Sequence, residues 1–257
     1  MASKFVWYEL MTSKAFAAET FYHDVVGWSA RDAGMTNFKY TLLSVGETPV
    51  AGLVQCPPDV PPGQSKPRWL GYIGVEDVDA KVASAEKLGA KVLHAPTDIP
   101  DVGRFAVLSD PQGACFALFK PNGTGTPLRP MTPGTIGWHE LHTKDAQKAF
   151  DFYSALFGWQ QIQAMDMGPI GTYHIFGDEN APMGMGGIFN DAEAPQPHWL
   201  YYFMVADIDA AIARVTAAGG KIIREPMQVP GGAWIIHARD PQTGLFALVG
   251  MRSANAA

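Results

Sequence analysis

Trp7-Tyr8-Glu9-Leu10, running on to Phe21-Tyr22 and Gly27-Trp28, returns as Trp138-His139-Glu140-Leu141, running on to Phe152-Tyr153 and Gly158-Trp159. At a shift of 131, residues 5–28 and 136–159 agree at 10 of 24 places. The likeness continues: Pro67-Arg68-Trp69-Leu70 through Asp79 matches Pro197-His198-Trp199-Leu200 through Asp209 at 7 of 13 places, at a shift of 130. Asp110-Pro111-Gln112 with Phe116-Ala117-Leu118 recurs as Asp240-Pro241-Gln242 with Phe246-Ala247-Leu248. Three ordered blocks, each present twice, mark a duplicated segment. The repeat is far longer than the roughly 20 to 50 residues of a solenoid unit, so each copy is expected to bury a core of its own. The expected division is module one over 1–122, a linker over 123–135 and module two over 136–252.

Within each copy the same elements recur. Phe5 to Met11 alternates as a strand, with Trp7, Glu9 and Met11 on one face. Thr12 and Ser13 offer capping hydroxyls to a helix over 15–26, where Ala18, Phe21, Tyr22 and Val25 form an apolar stripe and Gly27 supplies the stop. Runs at 38–45 and 50–54, with a less regular one near 29–33, complete a β-α-β-β-β quarter. The proline-rich stretch from Cys56 to Pro67 can be neither helix nor central strand and is expected to cross between quarters. A strand at 69–75, a helix capped by Asp77 or Asp79, and strands near 91–93, 105–109 and 115–119 repeat the plan, with Asp110 to Gly113 as a turn. Module two places helices at 146–157 and 209–218. The fold class expected is therefore α+β: four βαβββ units in two modules, each with a curved mixed sheet and outer helices.

Composition narrows the functions. Apolar residues make up 47% of the 257 and charged residues 17%, which is globular. A formal charge of −6 and the lack of a Lys/Arg cluster argue against nucleic acid. No apolar run reaches the roughly 20 residues of a membrane span. Met1-Ala2-Ser3-Lys4 leads straight into the first block without an apolar signal region, so the cytoplasm is the expected location. Cys56 and Cys115 have no counterparts in module two and imply no disulfide framework.

Four β-α-β-β-β units, with Phe-Tyr before the first helix stop and Asp-Pro-Gln in the last hairpin, resemble the vicinal oxygen chelate superfamily: glyoxalase I, extradiol dioxygenases, fosfomycin-resistance enzymes and bleomycin-resistance binding proteins. The resemblance spans roughly residues 4 to 250. It implies cup-shaped sheets and, in catalytic members, a divalent metal held by His, Gln or Glu from the first, fifth and eighth strands. Carried onto this chain, those positions fall on Trp7, Leu70 and Ala117 in module one, and on Trp138, Leu200 and Ala247 in module two. Six apolar side chains cannot ligate a hard or borderline cation. No metal or other cofactor is expected on this reading; a divalent metal at shifted positions is the alternative.

The site candidates follow from strand parity. Glu9 and Glu140 share a face with Trp7 and Trp138, and acidic groups are seldom buried unpartnered. They are read either as carboxylates satisfied by backbone or an arginine, or as ligand contacts and bases. His142, two residues beyond Glu140, joins that face, whereas module one has Met11 there. Glu140 and His142 are thus an acid–base pair, two ligands of a shifted metal, or satisfied core groups. Convergence of His139, His174, His198 and His237 would make a metal site at unusual positions. Arg104 is a candidate anchor for a ligand anion or a partner for Glu9, and its repeat counterpart is Trp234. Tyr40, Tyr173 and the tryptophans can line an apolar cavity. Gly184, Gly186 and Gly187 either open room for a ligand or serve close packing. The expected function is metal-free binding of a small, partly apolar organic molecule by Trp7, Trp138, Tyr40, His174, Trp234 and Arg104, with Glu9 and Glu140 as polar anchors. The alternative is a lyase, isomerase or dioxygenase using Glu9, Glu140 and His142. A homodimer is compatible with either.

Overall fold

The computed structural model describes residues 3–35, 38–56, 67–123, 128–129, 131–179, 181 and 183–253. The first quarter is β1 (Phe5–Thr12), α1 (Ala15–Val26), β2 (Ser29–Asp32), β3 (Tyr40–Val45) and β4 (Thr48–Gln55). The second is β5 (Arg68–Gly74), α2 (Val78–Lys87), β6 (Lys91–Ile99), β7 (Gly103–Ser109) and β8 (Cys115–Pro121). The third is β9 (Ile136–Thr143), α3 (Ala146–Phe157), β10 (Gln160–Asp166), β11 (Thr172–Gly177) and β12 (Gly186–Asn190). The fourth is β13 (His198–Asp207), α4 (Ile208–Ala217), β14 (Lys221–Gln228), β15 (Trp234–Arg239) and β16 (Leu245–Met251).

Quarters combine within each half of the chain into two eight-stranded mixed sheets, ordered β2-β3-β4-β1-β5-β8-β7-β6 and β10-β11-β12-β9-β13-β16-β15-β14. The hairpins of each quarter are antiparallel, while β1–β4, β9–β12, β5–β8 and β13–β16 run parallel, because a helix separates the first strand of each quarter from the rest. The α+β expectation of four βαβββ units holds. The segment 57–66, expected to cross between quarters, lies outside the described residues, as do 124–127 and 130 of the expected linker.

The chain forms two compact units that do not follow the two halves: residues 1–7, 70–125 and 138–200 form one, and residues 8–69, 126–137 and 201–257 the other. The repeated blocks explain this. In the first unit, Tyr153 on α3 donates its hydroxyl to Asp110 Oδ2 at 3.1 Å and accepts from Trp199 Nε1 at 3.1 Å. In the second, Tyr22 on α1 donates to Asp240 Oδ2 at 3.2 Å and accepts from Trp69 Nε1 at 3.0 Å. Each tyrosine is buried and finds the aspartate of the other half. The second aspartate oxygen, Oδ1, collects the turn amides, those of Gln112, Gly113 and Ala114 at Asp110. The neighbouring Gln112 brackets the start of α3, accepting from Asp145 N–H and donating to Asp145 C=O at 2.8 Å each. The Phe-Tyr, Trp and Asp-Pro-Gln blocks are thus the joints of the fold.

One expectation fails at the start of α1. Its N-cap is Lys14, with no side-chain cap, and not Thr12 or Ser13. Thr12 is buried and donates its hydroxyl to Gln242 Oε1 at 2.6 Å instead. Among the described residues, no helix is long and apolar enough to cross a membrane.

Candidate functional site

Because side chains alternate along β9, Leu141 and His139 face α3 while Trp138, Glu140 and His142 face the side that α3 leaves open. His139 is buried, stacks on Phe5 with ring centroids 4.1 Å apart and bonds Met185 C=O at 2.7 Å. Burial lowers its pKa to about 4, so it is a neutral core imidazole. On the open side the groups form one series of hydrogen bonds and ion-pair contacts within the first unit. Trp138 Nε1–H donates to Tyr173 Oη at 3.0 Å, and Tyr173 donates to Glu140 Oε1 at 2.8 Å. The other oxygen, Oε2, lies 3.0 Å from His142 Nε2, and His142 Nδ1 lies 2.7 Å from Asp191 Oδ2.

Local structure explains each placement. Parallel pairing sets Gly187 beside Glu140 and Phe189 beside His142. A Cβ at Gly187 would collide with the Tyr173 ring, so glycine there lets the tyrosine fold down onto Glu140. At Gly186 a Cβ would strike His139 C=O, so close packing accounts for this glycine pair. Asp191 follows β12, tied by its N–H to Thr143 C=O at 2.8 Å; its Oδ1 accepts the amides of Glu193 and Ala194, leaving Oδ2 for His142.

Electrostatically, His142 is an imidazole between two carboxylates. Burial opposes its charge, but the hydrogen bonds and charges of Glu140 and Asp191 outweigh burial and its pKa is raised. Burial likewise opposes charge on Asp191, yet His142 and the turn amides bring its pKa below the ordinary value. Tyr173 is held neutral, its pKa raised well above 10 by burial and then by the Glu140 charge. His198, at the head of β13, stacks on His142 at 4.7 Å and 15°, and Phe189 meets the His142 ring edge-on at 4.7 Å.

The remaining sequence candidates divide by face. Glu9 is half-buried opposite Gly52, over which Tyr40 folds as Tyr173 folds over Gly187, so module one keeps the glutamate, tyrosine and glycine but has Met11 in place of His142. Trp7 packs against buried Leu70, Tyr72 and Ala117, with Cys115 half-buried beside them. Three assignments are corrected. Arg104 alternates with Phe105 onto the α2 side, where its guanidinium forks onto Asp79 at 2.7 and 2.9 Å and meets Asp98 at 2.9 Å; it pairs with these and not with Glu9. His174 shares the α3 side with Phe176, stacking on Phe150 and bonding Gln161 Oε1 at 2.6 Å. Trp234 alternates with Ile235 onto the α4 side and lies under Arg252 at 3.8 Å. Trp69 and Trp199 belong to the tyrosine joints, and His237 bonds Tyr202 in the second unit at 2.8 Å. Asp191 was not singled out from the sequence, and His198 was named only among the four histidines whose convergence would make a metal site.

Residues 135–246 match the model of the Glyoxalase/Bleomycin resistance protein/Dioxygenase superfamily, and residues 8–119 match a glyoxalase-like domain. The chain belongs to this superfamily. It is 33% identical over 250 residues to the Mycobacterium tuberculosis protein named "Putative glyoxylase CFP32", covering 95% of this chain and 93% of that one. It is 31% identical to the anthracycline biosynthesis protein DnrV of Streptomyces peucetius, covering 96% and 92%. Its fold is similar to that of an Mn(II)-bound glyoxalase from Novosphingobium aromaticivorans, with a TM-score of 0.64 at 18% identity, covering 98% of this chain and 83% of that one.

A metal of that kind does not fit the donors here. The positions the family resemblance points to are Trp, Leu and Ala in both halves, and in the first unit Trp7, Leu70 and Ala117 pack as an apolar cluster. At the shifted positions, both ring nitrogens of His142 are engaged by carboxylates. Among the described residues no three His, Cys, Asp or Glu side chains are grouped as a metal would require.

Proposed function

We propose that this protein binds a small, partly apolar organic molecule against the open side of β9, without the metal of its catalytic relatives, using the Glu140–His142–Asp191 series as the polar end of the site. The observation carrying this reading is that Glu140 is met at both oxygens, by the Tyr173 hydroxyl at Oε1 and by His142 Nε2 at Oε2, in a place walled by Trp138, Tyr173 and Phe189. Such a carboxylate is pre-organised, and pre-organised polar groups among aromatic walls are what a small-molecule site requires. The anthracycline biosynthesis named for DnrV is compatible with a planar ligand. The test is calorimetric titration of chelator-treated protein with flat aromatic probes, on the wild type and on Glu140→Gln. Saturable binding weakened about ten-fold by the substitution, the worth of a charged hydrogen bond, is expected. Binding that requires restored Mn²⁺ or Zn²⁺ would overturn the metal-free reading.

A second reading, proton transfer on the bound molecule, is favoured by one observation: His142 bridges two carboxylates, an arrangement that holds a proton ready for exchange. Deuterium exchange into a bound carbonyl compound, lost in Glu140→Gln and in His142→Gln, is the outcome it requires.

A further inference from the structure

Within the polar series most acceptors are already used. Glu140 Oε1 takes the Tyr173 hydroxyl and Oε2 faces His142 Nε2, while Asp191 divides its oxygens between His142 and two turn amides. His198 differs. Its Nδ1 lies 3.0 Å from Gln196 C=O, and a carbonyl only accepts, so Nδ1 carries the hydrogen. In the neutral ring Nε2 then keeps its lone pair, and among the described residues no hydrogen bond to it is recorded. His198 is half-buried, leads the strand face that continues through Leu200, and lies flat on the His142 ring. Two protonated rings stacked at 4.7 Å would repel, so an imidazolium at His142 keeps its neighbour neutral.

We infer that His198, stacked on the Glu140–His142–Asp191 series, is a further acceptor that faces the ligand, and that its Nε2 takes the O–H of a neutral aromatic alcohol, a phenol or naphthol. This deepens the binding reading above and rests on it. The chemistry selects the class. An anionic ligand would meet two carboxylates against one imidazolium. A neutral O–H donor is repelled by neither and supplies the hydrogen that Nε2 lacks. The half-exposed rings of Trp138 and Phe189 suit an aromatic body.

The experiment titrates the full chain with 2-naphthol and with 2-methoxynaphthalene, which share a ring system but differ in the donor. The wild type is expected to prefer 2-naphthol about ten-fold, the worth of one good hydrogen bond. His198→Phe, which keeps a ring on His142 but removes the acceptor, is expected to abolish that preference, and His174→Phe, on the α3 side, to leave it intact. Nitrogen-15 spectra of the ligand-free protein are expected to show His198 protonated at Nδ1 and bare at Nε2. Equal affinity for the two probes, a preference that survives His198→Phe, or the opposite tautomer would overturn the inference while leaving the binding reading in place. Failure of both probes to bind would overturn the two together.

Discussion

At the scale of single residues, the site is an arrangement of protons. His142 has a raised pKa, so its bridge to Glu140 and Asp191 contributes stability that is fully present below the ordinary histidine value of about 6.5 and is lost as pH rises through the folded value. The urea midpoint is therefore expected to fall across that upper range, and this fall should be absent in His142→Gln. His139 has the opposite sign, since a pKa of about 4 in the fold costs stability as pH falls from about 6.5 toward it; the comparison should be made above that window. Glu140 and His142 were legible in the sequence because two-residue alternation puts them on one face and the repeat marks one as shared and the other as present in a single copy. Asp191 was not, and His198 only as one histidine among four, since they reach His142 through the parallel pairing of β12 with β9 and through the head of β13, links that a local pattern does not encode. Arg104, His174 and Trp234 were misassigned for one reason: each falls on the helix-facing parity of its strand, a phase that sequence leaves open until the strand's first paired residue is known.

At the scale of elements, a turn and a helix start give contrasting tests. Asp110 serves three turn amides with one oxygen and the Tyr153 hydroxyl with the other, while buried. Asp110→Ala leaves those groups unsatisfied and is expected to cost about 2–4 kcal/mol in chemical denaturation, well beyond an ordinary surface change. α1 begins at Lys14 without a side-chain cap, whereas α2, α3 and α4 begin at Asp77, Asp145 and Asp207, each accepting an amide of the first turn. Lys14→Asp is expected to raise stability by about 0.5–1 kcal/mol; no gain in the denaturation midpoint would show that the Thr12–Gln242 contact already fixes this end. Helix bounds were readable because periodicity and glycine stops coincide, as at Gly27 and Gly158, both left-handed. The cap of α1 was misread because a hydroxyl that suits a helix start also suits a distant glutamine, and the distant partner won.

At the scale of the whole molecule, sheets follow the two halves while compact units do not. α2 of the first half packs with α3 of the second, Lys81 Nζ reaching Leu156 C=O at 2.9 Å, and α1 packs with α4, Arg214 reaching Val25 C=O. Fragments 1–122 and 123–257 expressed together are therefore expected to copurify as an equimolar pair, and either alone to show exposed apolar surface by dye binding. A fragment that is monomeric and fully folded by itself would contradict the interleaving. The repeat made the doubled architecture legible, but it could not say that its own identical residues bond across copies, because a repeat records likeness and not contact.

Those crossed tyrosine joints also bear on how the two copies can drift apart. A change at Tyr22 must be tolerated by an aspartate encoded more than two hundred residues later, and a change at Tyr153 by one in the earlier copy. The blocks that hold the molecule together are thus yoked to each other, whereas the strand faces away from the helices carry no such reciprocal debt. Met11 against His142 lies on such a face, where the two copies have been at liberty to differ.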